Sequence, residues 1–312
     1  MKPQRIVLLG ATGFVGRHAL SRLAADGHTL VVLSRNRERH RDLFVIPRVR
    51  VATVDVHDRG ALARHFDGAD AVVNLVGILN ERGSDGRGFE KAHVELTDDV
   101  IAACATSGVR RLIQMSALRA GEGESHYLRT RGEAEAHVRA SSLDWTIFRP
   151  SVIFGPGDGL FFRFAKLLRI APVLPLARAH AKFAPVYVGD VAEAFARAIA
   201  HRATIDHTYA LFGPDVVELI DVVRKTAAMT RRKRWIVPLP DSLGFVQATI
   251  GEWLPGKPIS RDNFRSLKLD SVGDDDGLAA LGIVATPIDA IMPALLAGDG
   301  RQRRYDRFRA AS

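Results

Sequence analysis

An α/β fold, a doubly wound parallel sheet with a smaller C-terminal α+β lobe, is what this sequence predicts, and three observations carry the reading. Short β-branched runs alternate with helical stretches from the first residues to about residue 212. The run Ala71–Val76 is apolar almost throughout, as in strands covered by helices on both faces. After Pro214 the cadence breaks into mixed short helices and strands. The expected division is residues 1–155 with 187–212 as the sheet domain, and 156–186 with 213–312 as the smaller lobe.

The first unit sets the chemistry. Arg5-Ile6-Val7-Leu8-Leu9 leads into Gly10-Ala11-Thr12-Gly13-Phe14-Val15-Gly16 and then a stretch to Asp26 with apolar residues at helical spacing. Strand, glycine turn and helix in that order make a site for a dinucleotide. Gly10 permits the turn, Gly13 lets the backbone approach a pyrophosphate, Gly16 lets the helix close on the strand, and the helix N-terminus offers unpaired N–H groups to the anion. The spacing is G-x-x-G-x-x-G rather than the commoner G-x-G-x-x-G, and a tight turn without ligand is the competing reading.

The second strand, His28–Leu33, ends at Ser34-Arg35-Asn36-Arg37. An acid at this place would bond a ribose 2′-hydroxyl, whereas arginine accommodates a 2′-phosphate. Here Arg35, Arg37 and Arg39 crowd the turn without an acid, which favours NADP(H) over NAD(H). After the third strand, Val49–Val54, come Asp55 and Val56 at the cofactor edge; Asp55 faces adenine or bonds its own backbone. Asp58 caps a helix from Arg59 to Phe66. The fourth strand ends at Leu75-Val76-Gly77, beside the second ribose. A polar loop, 80–88, leads to a long helix from about Phe89 to Ser107, ended by Gly108. The fifth strand is Arg111–Ser116, which brings Met115 and Ser116 to the same rim.

Composition narrows the alternatives. A chain of 312 residues, 47% apolar and 25% charged, folds around a substantial core. Its formal charge of +9 favours anionic partners: nucleotide phosphates, acidic lipid headgroups or nucleic acid. No stretch resembles a nucleic-acid module. The single cysteine, Cys104, rules out an internal disulfide and fits a reducing compartment. The chain enters a strand almost at once and has no apolar run of spanning length, so the expected location is the cytosol or its membrane surface. The histidines lack paired metal spacing, and neither a Gly-x-Ser-x-Gly elbow nor a phosphate-loop lysine occurs. No metal is expected.

Beyond the fifth strand, Tyr127-Leu128-Arg129-Thr130-Arg131 resembles the Tyr-x-x-x-Lys element of the short-chain dehydrogenase/reductases, with arginine in the lysine position. Residues four apart share a helix face, so the cation sits near the phenol. The resemblance implies a Rossmann fold, with Tyr127 as general acid/base and Arg131 holding the nicotinamide ribose. Arginine keeps the charge but relays no proton near neutrality. Ser116 resembles the family's strand-end serine, although a one-residue shift puts Ala117 in that place. Arg149-Pro150-Ser151-Val152-Ile153-Phe154-Gly155-Pro156-Gly157-Asp158 is similar to the sixth strand and following turn of extended and atypical members. It implies that Pro150, Val152 and Ile153 cover the nicotinamide. Tyr187-Val188-Gly189-Asp190-Val191-Ala192 matches the family's return to the first domain, with Asp190 and Glu193 at capping-box spacing. Together with Leu267–Asp270 and Leu281–Ile283, these motifs resemble the atypical branch related to the accessory nucleotide-binding subunit of respiratory complex I. That branch implies a bound cofactor more strongly than a reaction.

In the smaller lobe, Phe161–Ile170 reads either as a helix packed on its own lobe or as one laid on a membrane or quinone cleft. Helices are expected near Val216–Met229 and Ser242–Trp253, a strand near Trp235–Val237, and two short helices at the end. Arg231–Arg234 and the arginines of 301–309 are solvated, or hold the protein to anionic lipid or an acidic partner. Two functions stand: an NAD(P)H-dependent oxidoreductase acting on a quinone or small carbonyl, or a non-catalytic nucleotide-binding protein that docks a partner.

Overall fold

The computed structural model describes residues 2–254 and 257–297. The first half runs β1 (Arg5–Leu9), α1 (Phe14–Ala25), β2 (Thr29–Ser34), β3 (Val49–Thr53), α2 (Arg59–Phe66), β4 (Ala71–Asn74), α3 (Arg87–Glu90), a π-turn (Lys91–Glu95), α4 (Leu96–Ser107), β5 (Arg111–Met115), α5 (His126–Ala140) and β6 (Asp144–Pro150). Then come β7 (Ile153–Phe154), α6 (Phe161–Ile170), β8 (Val173–Leu176), β9 (Lys182–Phe183), β10 (Val186–Tyr187), α7 (Val188–Ala200), β11 (His207–Leu211), β12 (Val217–Glu218), α8 (Leu219–Met229), β13 (Trp235–Pro238), α9 (Asp241–Gly251), α10 (Arg261–Ser266), α11 (Gly277–Ala280) and α12 (Ile288–Ala297).

Seven strands form one parallel sheet in the order β11-β6-β5-β4-β1-β2-β3. The chain leaves β1 in one direction and returns through β4 on its other side, so the rim opens a crevice between their carboxyl ends. Side-chain alternation explains the fully buried strands. Ile6, Leu8, Leu30, Val32, Val73 and Ile113 face one way, against Leu20 and Leu23 of α1 and Val191 and Phe195 of α7. Val7, Leu9, Val31, Leu33, Val72 and Leu112 face the other, against Leu62 and Phe66 of α2, Val100 and Cys104 of α4 and Val138 of α5. Cys104 is a core thiol that burial pushes up to about 12, so it stays protonated.

The rest of the chain makes smaller cores. Leu168 of α6 packs with Leu174, Leu176, Phe183, Leu219 and Val223, and Phe161 packs with Phe154, Ile288 and Met292. Helix α6 is therefore a packed helix on its aromatic side, the first of the two readings. β13 pairs in parallel with β8, and β12 antiparallel with β9.

Three expectations need adjustment. Asp190 and Glu193 do not form a capping box: α7 starts one residue after Tyr187, Asp190 accepts bonds from Thr286 N at 2.7 Å and Thr286 Oγ1 at 3.0 Å, and Glu193 pairs with Arg22 and Arg197. Leu278, Leu281 and Ile283, expected in the second lobe, pack into the sheet core, where Gly277 lies against Ala210 and Tyr209 of β11. Three helices rather than two follow α9 among the described residues, because Ser260 and Asn263 form a capping box that opens α10. The basic residues 301–309 lie outside the described residues.

Candidate functional site

The glycine turn sits where β1 feeds α1. Gly10 adopts φ +77°, and a Cβ there would stand 2.8 Å from the Leu75 carbonyl carbon and the Val76 nitrogen, so the two strand ends meet only because position 10 is glycine. At Gly16 a Cβ would fall 2.4 Å from the Gly10 carbonyl oxygen and the Ala11 Cα, which is the close helix–strand contact the sequence predicts. Gly13 is the N-cap of α1; no side chain caps the helix and no acid occupies its first turn. Its N-terminal amides, around Thr12, Phe14 and Val15, thus present a concentrated positive dipole end to the crevice.

Along the rim, Ser34 is buried at the end of β2, and Arg35 and Arg37 are exposed beyond it. Arg37 pairs with Glu38 at 2.9 Å and lies over the Phe44 ring. Asp55 bonds its own loop, accepting from His57 N at 3.1 Å, the second of its two readings, with Val56 beside it packed toward the α2 core.

The nicotinamide end is built from β4, β5 and α5. Ser125 caps α5 through Leu128 N at 3.1 Å. Asp262, from the distant α10, accepts from His126 N at 2.7 Å and Tyr127 N at 3.1 Å. One turn on, Arg131 is 3% exposed; its Nη1 donates to Met115 O at 2.9 Å and Val76 O at 3.2 Å, across the ends of β5 and β4. A Cβ on Gly77 would stand 1.8 Å from Arg131 Nη2, so the guanidinium reaches that strand end only because position 77 is glycine. Arg131 Cζ is 5.7 Å from the centre of the Tyr127 ring. The four-residue spacing thus places the cation by the phenol, as expected.

Two buried polar atoms face this junction without a partner among the described residues: Ser116 Oγ and Arg131 Nε. An unpaired buried hydroxyl and guanidinium N–H leave hydrogen-bonding capacity that a ligand can take up. With the uncapped α1 terminus and the glycine contacts, they fit a dinucleotide whose diphosphate meets α1 and whose nicotinamide ribose reaches Arg131. Ser116 lies past the end of β5, its N–H bonded to Phe148 O at 2.7 Å, and Ala117 beside it is also buried. Pro150 ends β6, Ile153 packs with the sheet core, and Val152 packs with the second lobe.

Sequence reasoning missed three contributors. His93, in the π-turn, is buried against the Tyr127 ring with centroids 5.6 Å apart; it accepts from Ile78 N at 3.3 Å and its Nδ1 meets Thr130 Oγ1 at 2.9 Å. Burial, with the Arg131 charge, pushes it down to about 2, so it is neutral and packs the ring rather than relaying protons. Asp262 is the second, and nothing in the spacing Ser260-Arg261-Asp262-Asn263 points across the chain to α5. The third is Glu135, fully buried, which takes the Arg149 guanidinium on both oxygens at 2.9 and 2.6 Å, so the arginine of Arg149-Pro150 fastens α5 to β6.

This fold and site define an NAD(P)H-binding Rossmann protein of the short-chain dehydrogenase/reductase type. A model of the NAD(P)H-binding family matches residues 10–159. The chain is 28% identical over 300 residues to the rat (Rattus norvegicus) protein NADH dehydrogenase [ubiquinone] 1 alpha subcomplex subunit 9, mitochondrial, covering 90% of this chain and 77% of that one. It is 30% identical over 233 residues to a (4-alkanoyl-5-oxo-2,5-dihydrofuran-3-yl)methyl phosphate reductase of Streptomyces griseus, covering 72% and 73%. Among solved structures, MoeE5 in complex with UDP-glucose and NAD superposes with a TM-score of 0.73 at 18% identity, covering 97% and 99%, a likeness of fold. The chain belongs to the NAD(P)H-binding atypical short-chain dehydrogenase/reductases, in the branch similar to that complex I subunit. No helix among the described residues is long and apolar enough to cross a membrane, and no cluster of His, Cys, Asp or Glu there could hold a metal ion.

Proposed function

We infer that the protein is an NADP(H)-dependent reductase of a carbonyl or quinone, with residues 1–155 and 187–212, joined by the segment around 277–286, as the nucleotide domain. The observation that carries this is the Tyr127–Arg131 pair held by α5 over the ends of β4 and β5. Bound NADPH supplies a hydride. Gly10, Thr12, Gly13, Phe14, Val15 and Gly16 hold its diphosphate; Leu75, Val76, Gly77 and Met115 line its nicotinamide half, and Pro150, Val152 and Ile153 close over it. Arg131 holds the ribose, and Ser116 Oγ bonds the nicotinamide half. Tyr127 gives its phenolic proton to the substrate oxygen, leaving the phenolate beside the Arg131 charge. Arg131 does not pass a proton onward, so Tyr127 is reprotonated from solvent.

The names of the relatives, an NADH-ubiquinone subunit and a reductase, support redox chemistry and admit a quinone; they also keep a second reading open. In that reading the nucleotide is held without turnover, in a protein that docks a larger assembly or sits at a membrane. The absence of the usual lysine favours it. Stopped-flow oxidation of NADPH by ubiquinone analogues and small carbonyls separates the two. The reductase reading expects oxidation that falls at least 100-fold, roughly the contribution of one general acid, in Tyr127→Phe while NADPH affinity holds. No oxidation with any acceptor gives the binding reading. For cofactor choice, Ser34, Arg35 and Arg37 receive the 2′-phosphate. Arg35→Ala with Arg37→Ala is expected to cut NADPH affinity about tenfold or more and leave NADH unchanged, checked by fluorescence titration.

A further inference from the structure

Helix α9 is turned inside out. Its inward side is Gly244, Ala248 and Gly251, all buried. A Cβ at Gly244 would stand 2.9 Å from the Phe264 ring, and one at Gly251 would stand 2.5 Å from the Ile259 carbonyl oxygen, so the helix seats closely because these residues are small. The large apolar residues point away. Leu243, Val246 and Ile250 follow helical spacing on the open side, and the chain continues through Trp253 and Leu254; these five are 54%, 52%, 58%, 88% and 50% exposed. Soluble helices put such a stripe inward.

The neighbouring ribbon repeats the pattern. β8 alternates exposed and buried residues, and its outward Val173 and Pro175 stand in register with outward Trp235 and Val237 of β13. Ile170, 70% exposed, precedes them. Gln247 of α9 donates to Pro175 O at 2.8 Å and accepts from Ala177 N at 3.1 Å, which ties the helix to the ribbon.

Cations border that surface. Lys166 and Arg169 project from the exposed side of α6, and Arg231 and Lys233 are exposed just before Trp235, with Arg232 half-buried between them. Segments 159–181 and 227–240 contain no acidic residue. The two acids of the α9 region are engaged, Asp241 with Arg178 at 3.1 Å and Glu252 with Arg261 at 2.9 Å. The open cleft lined by Arg232, Lys233, Arg234, Trp235 and Arg224 has a volume of about 420 Å³. Exposed tryptophans and aliphatic residues ringed by lysine and arginine match the layers of an anionic bilayer surface: acyl boundary, interface and headgroup.

We propose that α9 and the β8–β13 ribbon form a docking face for an anionic lipid bilayer, with apolar side chains entering the acyl boundary and the Arg231–Lys233 and α6 cations on headgroup phosphates. This proposal does not depend on turnover. The test is flotation of the full chain with phosphatidylcholine vesicles, with and without phosphatidylglycerol. Binding to the anionic vesicles, with a blue shift of tryptophan emission, is expected. Ile250→Glu with Trp253→Ala should abolish binding without lowering the melting temperature, since both side chains are exposed. Arg232→Ala and Lys233→Ala should weaken it about fivefold per charge removed. Three outcomes overturn the proposal: no binding to either vesicle, undiminished binding of the Ile250/Trp253 variant, or a concentration-dependent dimer in sedimentation that this variant dissociates.

Discussion

Two helix N-termini stand along the same rim of the sheet and are finished in opposite ways. The start of α1 has a glycine cap, no side-chain partner and no acid in its first turn. The start of α5 is satisfied twice over, by Ser125 within the helix and by Asp262 from another part of the chain. A helix end whose amides are left open is an anion site, whereas one closed by a carboxylate is a fixed mount. In the proposed function the first receives a diphosphate and the second holds Tyr127 and Arg131 in place. On that proposal, ligand capture and chemistry fall on separate helices.

The sharpest way to break the contrast is to fill the α1 turn. Gly16→Ala puts a methyl 2.4 Å from the Gly10 carbonyl oxygen, backbone that cannot swing aside. A loss of about 1–3 kcal/mol in folding stability is expected from the overpacking, together with loss of dinucleotide binding. Chemical denaturation and nucleotide titration check the two effects.

Opening the other terminus is milder. Asp262→Ala strips two backbone amides of their acceptor while Ser125 remains, so a stability loss of about 0.5–2 kcal/mol is expected. Nucleotide affinity should change less than turnover, because α1 is untouched while the Tyr127 mount loosens. Equal losses of both would contradict the separation of roles.

The smallest effect concerns the ring behind Tyr127. His93 is pushed down to about 2 in the folded protein against an ordinary value near 6.5. The unfolded chain therefore takes up a proton as pH falls through 6.5 and the folded chain does not, so this residue's contribution to stability is full above that range and is lost as pH drops. His93→Gln should remove roughly 1 kcal/mol of the stability difference between about pH 7 and about pH 5.5, measured by urea unfolding at both.

What the sequence made legible follows from local physics. The first five strands, the glycine turn, the Tyr127–Arg131 spacing and the Asp58 cap are periodic or short-range, and the structure has each within a residue or two of its expected place except β4, which ends at Asn74 rather than Gly77. The capping-box reading of Asp190 failed because α7 already begins at Val188 and Thr286, far along the chain, offers that carboxylate a partner that spacing does not encode. Asp262 and His93 were invisible for the same reason: their roles come from packing between segments. The open face of α9 was half legible. Leu243, Val246 and Ile250 mark a stripe, but Gly244, Ala248 and Gly251 mark another, and only tertiary contact decides which side goes in. Arg149 was noticed as part of a motif, yet its partner Glu135 lies on the preceding helix and makes the role structural.

The account stands on the dinucleotide occupying the crevice between β1 and β4, and calorimetric titration of the purified chain with NADPH and with NADH measures that directly. One nucleotide per chain is predicted, NADPH the tighter, with the heat abolished by Gly16→Ala. Absence of binding by both nucleotides would contradict it.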